Sequence, residues 1–402
     1  MDSFAATKPQ RRYELDWLRV LTMLTVFLFH NALFFSVGDW HVKNTQHSLV
    51  FTIFVYCANQ LIMPIFFLLA GASTRFSLDF KTGAAYVKER FLRLMIPFIF
   101  GALVLIPPQG YVEALSRFQF SGNFIQYFPH HFAIRLSRFS LNPGWLFGSF
   151  GTHLWFLGFL FLYSLVALPL FKWFYRAKGR LFIDRFAAFM VRPYAVLLLI
   201  LPTALVQVVL RARFPSYLDV ADLLYWFVIF ICGYLIYADS RIVDAVSRHG
   251  RFALNIGIFC FVAMFFLYLF GPLGQWETNP DYSIGYLLYQ VLRSVNTWAW
   301  IFVLLSLGSR RLNFSNQTLQ YTNEAVLPFY IPHQTVILLI GFFVVQWPIG
   351  IPLKYLIIST SSFTITITFY ELVKRFNVTR FLFGMRPKKS SGSTGAGLQV
   401  ES

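Results

Sequence analysis

The sequence predicts an all-α polytopic membrane protein of about ten transmembrane helices with both termini in the cytoplasm. Three observations carry that prediction. Hydrophobic residues make up 57% of the chain and charged residues 13%, against about 25% charged in an ordinary soluble domain. Apolar runs of about 18 to 24 residues recur along nearly the whole length, and each can cross roughly 30 Å of hydrocarbon as a helix. The runs are continuous, whereas the strands of a membrane barrel would appear as alternating segments of about ten residues.

The runs lie near 17–36, 50–71, 94–110, 154–172, 193–210, 221–237, 253–270, 284–307, 325–346 and 353–373. With the N-terminus inside, most of the 34 lysines and arginines fall in cytoplasmic segments, where basic residues are retained. The net charge of +17 is then a topological signal plus attraction to anionic lipid heads of the inner membrane, and does not argue for nucleic acid. Residues 1–385 read as one transmembrane domain, and 386–402 as a polar, Gly/Ser-rich, disordered cytoplasmic tail.

The first run carries Asp16, Arg19 and His30, and ionisable side chains within a span are rare without a task. It is too long for a signal peptide, is charged at its start and is not followed by a small-residue cleavage site. Eleven positions at 100° each rotate about 1100°, three turns plus about 20°, so Arg19 and His30 share a face with a rise of about 16 Å between them. Asp16 is close enough to pair with Arg19. It is about 21 Å from His30 along the axis, so another helix must orient the imidazole. One reading is an interfacial ion pair with a structural histidine. The sharper reading is a cavity in which His30 acts as general base on a hydroxyl while Arg19 binds an anion at the cytoplasmic mouth.

The remaining runs add to this stripe. "KERFLRLMIPF", residues 88 to 98, sets Lys88, Arg90 and Arg93 at the mouth of the third run, as a phosphate site or as ordinary positive-inside charge. The segment from 111 to 153 is the longest loop and is aromatic-rich, with His130 and His131 read as loop residues. "GTHLWFLGFLFLYSL", residues 151 to 165, opens the fourth run with His153 and Trp155, the latter a membrane-interface anchor or a substrate contact. Arg293 and Asn296 share a face of the eighth run and are candidate substrate-binding residues. "LPFYIPHQTVI", residues 327 to 337, places His333 between Pro328, Pro332 and Gln334, where broken backbone commonly borders a cavity. Cys57, Cys232 and Cys260 fall inside runs without paired spacing, so neither a disulfide framework nor a metal site is expected. Glycine-rich phosphate loops and GxSxG elbows are also missing from the sequence.

These residues resemble the membrane acyltransferase family 3, polytopic enzymes that acylate extracytoplasmic carbohydrate. Arg19 and His30 meet the family's opening motif, Arg90 and Arg93 its basic pair, and "HLWFL" and "FYIPHQ" two later signatures. "DWHVKN", residues 39 to 44, and "MPIFFLLAGAST", residues 63 to 74, further resemble the glucan-biosynthesis branch, whose better-known members succinylate periplasmic glucans. The resemblance implies acyl-CoA as the cytoplasmic donor, without a metal, and a carbohydrate hydroxyl as the outer acceptor. It implies Arg19, Arg90 and Arg93 on the phosphates of CoA, and His30, with His153 and His333, at the reacting centre. No SGNH-type domain follows the membrane part, so acceptor choice is expected to rest with the membrane domain or a partner. The alternative is a proton-coupled transporter of a glycan or organic acid with His30 as relay, although the paired broken spans common in transporters are not evident.

Overall fold

A computed structural model describes residues 11–137 and 139–388, and among these the chain is helical without strands. The helices are α1 (Tyr13–Ala32), α2 (Leu49–Leu78), α3 (Gly83–Ser116), α4 (Phe124–Ser137), α5 (Pro143–Val166), α6 (Leu168–Phe174), α7 (Ala177–Met190) and α8 (Ala195–Leu210). They continue as α9 (Val220–Ile236), α10 (Ser240–Arg248), α11 (Gly250–Phe270), α12 (Leu273–Thr278), α13 (Ile284–Arg311), α14 (Gln317–Val344), α15 (Ile351–Val373) and α16 (Asn377–Leu382). Every apolar run expected from the sequence is helical.

Seven helices, α2, α3, α5, α11, α13, α14 and α15, are long and apolar enough to cross a membrane, and the bent pair α9–α10 makes up to eight. The shorter count has a local cause. α1 carries Glu14, Asp16, Arg19 and His30, which lower its hydropathy, and α8 is a shorter apolar helix. The expected tail falls largely on residues 389–402, outside the described residues.

The bundle closes on α2 and α9. A Cβ added at Gly71 would lie 1.9 Å from the carbonyl oxygen of Phe230, and one at Gly233 would lie 2.0 Å from that of Leu68. Only glycine allows that approach, the small-residue packing that membrane helices use where no hydrophobic effect draws them together. α11 is peripheral, with Phe259, Phe266 and Phe270 exposed on a surface suited to lipid.

Prolines shape the helices around the cavity. In α3, Pro97 removes the N–H that would serve the carbonyl of Arg93, and wide π turns run over Phe91–Met95 and Gly101–Leu105. α14 passes through Pro328 and Pro332 as one continuous helix, not a broken span. The segment read as a long loop is mostly helical, so the loop reading of His130 and His131 is corrected: both lie on α4, and His131 is buried. Gly110 makes room for it, since a Cβ there would sit 2.8 Å from His131 Nδ1.

Candidate active site

One cavity of about 1530 Å³ runs from Arg19, Arg90 and Arg93 to His30, His41 and His153. Arg19 stands on the α1 face predicted from its spacing. Its Nη1 donates to Asp16 Oδ1 at 3.0 Å and to Asn323 Oδ1 at 3.1 Å, and its Nη2 donates to Ser73 Oγ at 2.8 Å. Arg90 donates to Thr74 Oγ1 at 3.2 Å and lies 5.0 Å over the Tyr86 ring. Arg93 donates to the carbonyl of Gly384 at 3.3 Å, with Glu89 at 3.9 Å. Lys81, Arg380 and Arg386 line the same mouth. Cationic groups this dense suit a polyanion.

At the other end, the partner that α1 could not supply comes from α14. His30 Nδ1 is 2.9 Å from His333 Nε2, and His333 Nδ1 is 2.5 Å from the carbonyl oxygen of Tyr330. A carbonyl only accepts, so His333 Nδ1 carries the proton and, in the neutral ring, Nε2 is an acceptor. His30 Nδ1 must then donate to it, which leaves the lone pair of His30 Nε2 for the cavity that His30 lines. The chain Tyr330 C=O, His333, His30 fixes a tautomer as a carboxylate does in other imidazole bases. Trp40 stacks on His30 with ring centroids 5.5 Å apart and planes 15° apart.

His153 packs beside the pair, its ring centroid 5.2 Å from that of His333. Both of its nitrogens are engaged: Nε2 donates to the carbonyl of Ile331 at 3.0 Å, and Nδ1 accepts from Gln109 Nε2 at 3.4 Å. Thr152, at φ 45, turns the chain between the two parts of α5 and directs His153 inward. Trp155 is buried, stacks on Trp226 at 4.8 Å and lines the cavity, so it is not a membrane-interface anchor.

Two predicted contacts lie elsewhere. Arg293 lines a second cavity of about 190 Å³ with Arg211, Tyr286 and Trp276, and Asn59 borders both cavities. Asn296 lines neither, since its amide donates to Gln60 Oε1 at 2.7 Å and its oxygen accepts from Trp300 Nε1 at 3.1 Å. Sequence reasoning missed Trp40 and His41, which line the outer end, and Glu113 and Gln109, which bond His41 and His153 from behind. His41 and Trp40 lie in the quoted "DWHVKN", but no helical period marks a loop side chain as inward-facing.

Lys43 anchors that loop by donating to the carbonyls of Leu33 at 2.6 Å and Ser36 at 2.5 Å, and burial pulls its ammonium down to about 8. On α4, burial and then Arg135 push His131 down to about 4. Among the described residues no group of three or more His, Cys, Asp or Glu side chains is placed to hold a metal ion.

The acyltransferase-3 family model, described as an acyltransferase domain, matches residues 12–371. Proteins named glucans biosynthesis protein C from Salmonella paratyphi B and Salmonella dublin are 23% identical over 394 residues, covering 96% of this chain and 98% of theirs. The corresponding protein of Salmonella heidelberg is 23% identical over 395 residues. No solved structure matches the chain. Apolar helices and bacterial relatives together make it a multi-pass inner-membrane protein. The chain belongs to the acyltransferase-3 family and is a membrane acyltransferase.

Proposed function

We propose that this protein transfers an acyl group from cytoplasmic acyl-CoA to a hydroxyl of an extracytoplasmic carbohydrate, such as a glucan, forming an O-acyl ester. The observation that carries the proposal is the lone pair of His30 Nε2, fixed through His333 at one end of a cavity whose other end is lined with arginine. In this reading about ten membrane-crossing segments place both termini in the cytoplasm, the arginine mouth inside and the histidines outside.

Arg19, Arg90 and Arg93 hold the phosphates of CoA. The rise from Arg19 to His30 is about 16 Å, and an extended pantetheine arm is roughly as long as four or five residues of extended backbone, about 15 Å. The thioester therefore reaches His30. There Nε2 either takes the proton of the acceptor hydroxyl or attacks the thioester itself. His333 keeps Nε2 unprotonated, and His153, committed on both nitrogens, holds the α14 backbone that carries His333. Trp155 forms the wall facing the acceptor. Arg293 contacts a distal part of a long acceptor through the second cavity, and Asn296 positions Gln60 beside it.

A strain lacking the gene, complemented with the wild type or with His30→Ala at equal membrane abundance, tests the reading by mass spectrometry of envelope glycans. One acyl increment is expected with the wild type and not with His30→Ala. Equal restoration by both would remove His30 from the reaction. Counterflow uptake into vesicles without consumption of acyl-CoA would replace transfer with transport.

A further inference from the structure

A second imidazole stands ready in the same cavity. His41 lines it next to Trp40, whose ring stacks on His30 and lies 4.8 Å from the His41 ring. His41 Nδ1 is 2.5 Å from Glu113 Oε2. Glu113 Oε1 is held by Arg117 at 3.2 Å, and Ser116 Oγ donates to the His41 carbonyl at 3.1 Å. A carboxylate accepts, so His41 Nδ1 is the donor and Nε2 is left with its lone pair. That nitrogen accepts from Gln334 Nε2 at 3.4 Å, as His153 Nδ1 does from Gln109. The His41 side chain is only part-buried and lines the cavity, so an acceptor hydroxyl can displace the Gln334 amide, which also donates to Gln109 Oε1 at 3.1 Å. The arrangement is a carboxylate-backed base reached through the outer wall, and the transfer proposed above does not use it.

We propose that His41, positioned by Glu113, is the base for the acceptor hydroxyl, and that His30 is thereby the nucleophile for the donor. The inference rests on the acyl-transfer reading and narrows it to a two-step route, because a single displacement needs one base and this cavity holds two. In the first step His30 Nε2 attacks the thioester carbonyl, the C–N bond forms as the C–S bond breaks, and CoA leaves as the thiolate. The His30 Nδ1 proton moves to His333 Nε2, so the acyl-imidazole is neutral. In the second step the acceptor hydroxyl gives its proton to His41 Nε2 and its oxygen attacks the acyl carbon. The C–O bond forms as the C–N bond breaks, the electron pair returns to His30, and His333 returns the proton to His30 Nδ1. His41 then releases its proton to water, balancing the departed thiolate.

The test uses the full chain in nanodiscs with radiolabelled acetyl-CoA or succinyl-CoA as donor and glucose oligosaccharides as acceptor. Without acceptor, the wild type is expected to take up about one equivalent of label and release CoA. Adding acceptor should discharge the label from the wild type but not from His41→Gln or Glu113→Gln, whose transfer falls by at least about 100-fold. His41→Gly should regain discharge when imidazole is added, a rescue that loss of folding does not permit. An unlabelled wild type that still transfers, or a His41→Gln protein discharging within about threefold of wild type, would overturn the two-base route and leave acyl transfer intact. Retention of label and transfer by His30→Ala would instead overturn the assignment of His30.

Discussion

At one end of the cavity Arg19, Arg90 and Arg93 are held by a carboxylate, amide and hydroxyl oxygens and a carbonyl; at the other, His30, His333 and His153 are held by two carbonyls, an amide and each other. The difference is one of tolerance. Positive charge acts over several ångströms and is shared among neighbours, so a displaced guanidinium still attracts a phosphate. A lone pair acts along one direction, and a ring in the wrong tautomer presents an N–H where the reaction needs an acceptor.

The sharpest break in the comparison is therefore on the histidine side. His30→Ala removes the group that attacks the thioester or takes the acceptor's proton, and should lower the rate of acyl transfer by about 1000-fold. His333→Ala keeps the His30 ring but frees its tautomer, and should lower kcat by about 100-fold while leaving the KM for the donor nearly unchanged. Matching losses in KM would mean that His333 shapes the donor site and does not orient His30. Both are read by initial rates of CoA release at equal protein.

On the arginine side the expected effects are smaller and fall on binding. Arg19→Lys keeps a charge but loses the fork that spans Asp16, Asn323 and Ser73. The KM for acyl-CoA should rise by about tenfold, roughly 1.4 kcal/mol, with kcat within about twofold of wild type. A loss as deep as that of His30→Ala would contradict the division between the two ends. Raising ionic strength from about 0.05 M to about 0.5 M shortens the screening length severalfold. The donor KM should rise by a few-fold as a result, with kcat unchanged. A flat KM would mean that the mouth's carboxylates already neutralise it.

The two ends also differ in how far they could be read from the sequence. The shared face of Arg19 and His30 and the pairing with Asp16 follow from helical period alone, and the structure has both. His333 stood out because it follows Pro328 and Pro332 within an apolar run, and it supplies the orienting group expected from another helix. The link between His41 and Glu113 was not legible: 72 positions separate them, one lies in a loop, and no period relates them. Arg293 and Asn296 were read correctly as one polar helical face. Which neighbour that face meets is set by the rotation of α13 in the bundle, which turns Arg293 to the second cavity and Asn296 to Gln60 and Trp300. The α4 segment was misread because Pro129 and its aromatics resemble a loop until α3 supplies the surface that buries Tyr127 and His131.

That misread helix carries the smallest expected effect, and it extends the contrast to stability. His131 is buried on α4 and titrates at about 4 in the folded protein, against an ordinary value of 6.5. Between these values the unfolded chain binds a proton that the folded chain refuses, so stability rises with pH there and is lost as pH falls from about 6.5 toward 4. Protection factors of the α4 amides against hydrogen exchange should fall as pH falls across that window, and His131→Phe should flatten the response. No imidazole lies among the mouth's Arg19, Arg90 and Arg93 and the groups they bond, so the mouth should not loosen with it. Equal acid sensitivity at α4 and at the mouth would mean that the fold responds to pH as a whole and not through His131.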